Sequence, residues 1–132
     1  MMMFLWTATT GWAATLLFGA GASIPYALKA VQPVPGPYLV RLRPHYWLGF
    51  VIPAVAFLHA WLPMSVGPIG GLGGLGLVLA TGAFFAMIWQ VGLGVVLRDV
   101  HGIYRRKSRS LHFWTMVLIA GLVCAHIVLN RA

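Results

Sequence analysis

Acid is almost missing from this sequence: one aspartate, Asp99, stands against nine lysines and arginines in 132 residues. A lone carboxylate cannot form the acid and base pair of a hydrolytic centre, and no nucleophile sits beside a base, so nothing resembles a site that makes or breaks substrate bonds. Thiol is equally scarce. Cys124 is the one cysteine and there is no Cys-x-x-Cys-His, which excludes disulfides and covalently attached haem. Charge of either sign amounts to 8% of the residues while 61% are hydrophobic, more apolar surface than a soluble domain of this size can hide in one core. A formal net charge of +8 in a soluble chain would point to nucleic acid. Here the cations lie between apolar runs, so membrane topology explains them and no nucleic-acid partner is expected.

What the sequence does have is long apolar stretches. Four windows, roughly 4–27, 45–62, 72–97 and 111–129, have spanning length and no charged residue. A hydrocarbon core roughly 30 Å thick needs about 20 helical residues. The expectation is an all-α, single-domain integral membrane protein over residues 1–132, without room for a separate soluble domain. The N-terminal run lacks the basic start of a signal peptide and is read as a retained first span.

The first connection, VQPVPGPYLVRLRP, is proline-rich and the second, PMSVGPIGGLGG, glycine-rich, whereas the third, RDVHGIYRRKSRS, is polar and basic. Short connections make neighbouring helices antiparallel, an up-down-up-down four-helix bundle in which the second and fourth helices run parallel. Lys29, Arg41 and Arg43 sit at the first connection, and Arg98, Arg105, Arg106, Lys107 and Arg109 with Asp99 at the third. The second has no charge and Arg131 is a single contrary one. The positive-inside tendency then puts connections one and three in the cytoplasm and both termini on the periplasmic side, as in a multi-pass protein of the bacterial inner membrane.

Four of the five histidines fall in two of these windows at one spacing: His45 and His59, His112 and His126, each pair fourteen residues apart. Fourteen helical steps return to within about 40° of the starting direction and climb roughly 21 Å, so each helix shows two histidines on nearly one face, one near each side of the membrane. In parallel helices His45 lies level with His112, and His59 with His126. Two imidazoles at one level suit haem iron, whose macrocycle needs an apolar slot between helices. Zinc or copper would need three or four ligands at a level, and neither level offers them.

An internal repeat appears when His45 is set on His112: RPHYWLGFVIPAVAFLHAWL aligns with SLHFWTMVLIAGLVCAHIVL, and His, aromatic, Trp recurs. Such self-similarity suggests two related helix pairs about an approximate two-fold axis. A single intramembrane histidine often only bonds one helix to another. Four in register are a different matter.

With these histidines the chain resembles the diheme core of the cytochrome b superfamily, and in orientation is most similar to the transmembrane domain of ferric reductases and NADPH oxidases. The resemblance implies two bis-histidine b-type haems, His45 with His112 ligating the inner one and His59 with His126 the outer one. That family usually carries further helices and a cytoplasmic flavin and nicotinamide domain. With neither present here, electrons would arrive from another protein or a quinol, and the partners implied are other subunits of a membrane redox complex, respiratory or photosynthetic.

Arg41, Arg43 and Arg109 lie within a turn or so of the inner histidines, where their guanidinium groups can pair with haem propionates; headgroup contact explains them equally well. Gly49, one turn beyond His45, can let the ring approach the backbone, although close helix packing is the usual reason for such glycines. Pro53 is expected to kink the second span. His101 falls in the basic connection as a surface histidine, and Trp47, Trp61 and Trp114 fall near helix ends as interface anchors. The functional expectation is an electron-transfer subunit rather than a stand-alone enzyme. The alternatives are a quinone or metal reductase acting alone, and a haem-free anchor or scaffold within a larger complex.

Overall fold

A computed structural model describes residues 2–31, 37–64, 74–99 and 101–129. The proline-rich stretch at 32–36, most of the glycine-rich connection and Arg131 lie outside the described residues. Every regular element described is helical: α1 Met2–Ala30, the one-turn α2 Tyr38–Arg41, α3 Arg43–Met64, α4 Gly74–Asp99 and α5 Gly102–Leu129. Three stretches are long and apolar enough to cross a membrane, namely Tyr38–Leu62, Gly74–Asp99 and Ile103–Leu129.

The helix α1 is as long as these at 29 residues, yet is not among them. Four threonines dilute its apolar run. Three of them are accommodated by turning hydroxyls back onto their own helix, Thr9 Oγ1 to the Leu5 carbonyl at 2.6 Å, Thr10 Oγ1 to Trp6 at 2.9 Å and Thr15 Oγ1 to Gly11 at 2.9 Å. Pro25 lies inside α1 without ending it.

The break between α2 and α3 has a covalent cause. Pro44 has no N–H to give back to the preceding turn, so the helix stops at Leu42 and resumes with Arg43. Leu42 keeps the chain turning: its own N–H reaches the Tyr38 carbonyl at 3.1 Å, and its carbonyl accepts from Tyr46 at 3.1 Å. Pro53, by contrast, is buried within an unbroken α3. The basic stretch after Asp99 departs from the expected connection. From Gly102 onward it forms the first turns of α5, because Arg and Lys are good helix formers and no proline interrupts them.

The chain divides into two compact units, residues 1–62 and 63–132. In the first, α1 and α3 run antiparallel: His45 meets Gly21 and His59 meets Thr7, so positions rise along one helix as they fall along the other. In the second, α4 and α5 do the same, with Gln90 at His112 and Gly76 at His126. Each unit is an antiparallel helical hairpin. Large apolar side chains stand outward on both, among them Leu16 at 70% exposure, Trp47 at 71% and Phe85 at 66%. Water would penalise each by roughly 1.5–3 kcal/mol, whereas lipid would not.

Candidate functional site

All four paired histidines are half-buried, while the neighbouring Trp47 and Trp114 are exposed. The repeated His, aromatic, Trp motif therefore turns its imidazole inward and its indole outward in both hairpins. His101 lies between α4 and α5 and is exposed, as a surface histidine should be.

Three of the four rings are anchored alike. Nδ1 of His45 lies 2.8 Å from the Gly21 carbonyl, Nδ1 of His59 lies 2.9 Å from that of Thr7, and Nδ1 of His126 lies 3.1 Å from that of Gly76. A carbonyl only accepts, so each Nδ1 must carry the proton. In a neutral ring the lone pair then belongs to Nε2. This is the tautomer in which outer partners hold histidines that ligate metals.

At His59 the surroundings are tightest. Thr10 gives its hydroxyl proton to a carbonyl of its own helix, leaving its oxygen 3.5 Å from Nδ1 of His59 as a weak second acceptor. Gly11 forms the floor beneath the ring: a methyl group there would come within 2.9 Å of Cε1 and 3.1 Å of Nδ1. Only hydrogen fits. His112 is held differently. Gln90 Nε2 donates to the His112 backbone carbonyl at 2.9 Å, and a Cβ on Gly94 would stand 3.6 Å from the His112 Cε1.

Arg41 carries an unbalanced feature. Its Nε and Nη1 are buried and have no hydrogen-bond partner among the described residues, although the guanidinium carbon lies 5.8 Å from the centre of the Tyr38 ring. Arg41 as a whole is half-buried, but covering two guanidinium nitrogens without an acceptor is costly, and their proper complement is an anion. Arg43 and Arg109 are exposed. Gly49 has nothing within 4 Å of where a Cβ would stand, so its face of α3 is clear.

Among the described residues no three of His, Cys, Asp and Glu gather into a metal-binding group. The exposed pair Arg98 and Asp99, 3.7 Å apart, and the exposed Cys124, two residues before His126, make no such group. Sequence reasoning missed Gln90 and the carbonyls of Thr7 and Gly76. Gln90 had a signal, being the one amide side chain within the apolar window 72–97. The carbonyls had none, because every residue carries one. No protein-family model, curated protein or solved structure matches this chain.

Proposed function

We propose that the chain is a diheme cytochrome b subunit, a four-helix up-down bundle that carries electrons across the bilayer between a quinol or protein partner and an acceptor. The observation that carries this reading is the common anchoring of His45, His59 and His126 by Nδ1 to a backbone carbonyl, which leaves Nε2 as the donor atom an axial ligand needs. His45 with His112 would share one haem, and His59 with His126 the other. Haem iron between two imidazoles supplies one-electron chemistry without needing the acid, base or nucleophile that this sequence lacks.

The chain's own residues do the placing. Carbonyls of α1 and α4 fix ring orientation and tautomer, and Gly11 lets the His59 ring lie against α1. Arg41, with Nε and Nη1 covered and without an acceptor among the described residues, fits a propionate carboxylate. Gly49 leaves room for a flat macrocycle along α3. The exposed Arg43 and Arg109 suit propionates at the membrane surface or lipid headgroups.

A second reading, the haem-free anchor, draws on the same hydrogen bonds, since imidazole to carbonyl contacts also tie helices together. The two covered guanidinium nitrogens of Arg41 favour the haem reading over it. The deciding experiment is purification from membranes with reduced-minus-oxidised spectroscopy and a haem-to-protein ratio. Two low-spin haems per chain are expected; a colourless protein that takes up no added haem would refute the proposal.

A further inference from the structure

In the first hairpin, α1 meets the two histidines of α3 with two backbone carbonyls, those of Thr7 and Gly21. These positions are fourteen residues apart, the same spacing as the histidines. In the second hairpin the Gly76 carbonyl meets His126. Fourteen residues further along α4 stands Gln90, the counterpart by position of Gly21.

Gln90 grips the backbone of His112 rather than its ring, with Nε2 2.9 Å from the carbonyl oxygen. A helical carbonyl has a second lone pair, so this bond adds to the α5 ladder without replacing a rung. One turn on, Gly94 lies beneath the His112 ring. The same arrangement, an anchor followed one turn later by a glycine under the ring, serves His59 through Thr7 and Gly11. Meanwhile Gln90 Oε1 is buried and has no hydrogen-bond partner among the described residues. A half-satisfied buried amide is worse for stability than an apolar side chain of the same shape. Stability alone would therefore place methionine or leucine here.

Resting on the diheme reading, we propose that Gln90 is the positioning residue of His112, tying α4 to the backbone of that ligand so that its imidazole keeps one height and one rotation. The His45/His112 level then depends on Gln90, while the His59/His126 level does not.

The test separates the levels by background. His59→Ala keeps the haem of the His45/His112 level, and His45→Ala keeps that of the other. Gln90→Met preserves length and removes both hydrogen-bonding groups. In the first background it should speed haem transfer to a scavenging apoprotein by about tenfold, the order expected when a metal ligand loses its outer partner. In the second the rate should hold. Gln90→Asn, whose amide is one methylene short of the carbonyl, should match Gln90→Met, and serves alone if that variant does not accumulate. Gln90→Glu, protonated in apolar surroundings, keeps a donor at the right reach and should restore slow loss. Equal acceleration in both backgrounds, or none in the first, would overturn the assignment. Wild-type protein without haem is a separate result, which removes the diheme reading itself.

Discussion

Replacing Gly11 by alanine sets two known effects against each other at one atom. Alanine is favoured over glycine inside a helix by about 0.5–1 kcal/mol, so the bare expectation is stabilisation. The new methyl, however, would stand 2.9 Å from His59 Cε1, well inside ordinary van der Waals contact. The ring cannot simply swing aside, because its Nδ1 is held at 2.9 Å by the Thr7 carbonyl. Overpacking of this kind costs about 1–3 kcal/mol. Stretching or losing the anchoring bond adds about 1 kcal/mol. The intrusion wins, and a net loss of about 1–3.5 kcal/mol is expected.

Gly19→Ala is the matched control. It lies in the same helix, with nothing within 4 Å of its Cβ position, and should show the propensity gain of about 0.5–1 kcal/mol alone. Denaturant titration of the two purified variants in one detergent reads the difference, and the haem-to-protein ratio reads whether displacement of His59 reaches the cofactor. A Gly11→Ala protein that is as stable as Gly19→Ala, with full haem content, would refute the packing of His59 on α1.

Single removal of His59 or His126 should abolish one low-spin haem signal and spare the other, and the two changes made together should lose no more than either alone; survival of all haem in the double variant would break the pairing. Arg41→Leu, which removes a half-buried cation, is expected to lower the midpoint potential of the His45/His112 haem if Arg41 pairs with a propionate, whereas Arg41→Lys should keep most of the charge effect and lose the bidentate geometry. Redox titration checks both. Thr10→Val deletes the 3.5 Å contact to His59 together with hydroxyl bonds to the Trp6 and Thr7 carbonyls of its own helix, local bonds that do little for a helix, so unfolding measurements should find a change below about 0.5 kcal/mol.

Much of this chain was legible from sequence because lipid imposes simple conditions. Backbone groups in hydrocarbon must be satisfied within the segment, which leaves helices for apolar runs without charge, and residues 45–62, 74–97 and 111–129 follow that rule. The first window also formed a helix, but its threonines leave it outside the set apolar enough to cross. The histidine spacing was equally plain, since 3.6-residue periodicity alone places residues fourteen apart near one face.

Only the tertiary structure decided what each imidazole touches. Antiparallel pairing within each hairpin brings Thr7 to His59, Gly21 to His45 and Gly76 to His126, and the contacts run through carbonyls whose chemistry is independent of residue type. It also separated Arg41 from Arg43 and Arg109. The three look alike in sequence, and the covering of Nε and Nη1, a property of the folded surroundings, marks Arg41 as the one that suits an anion. Periodicity sets which way a side chain leaves its own helix. What waits there is set by the neighbouring helix, through packing distances that no spacing rule contains.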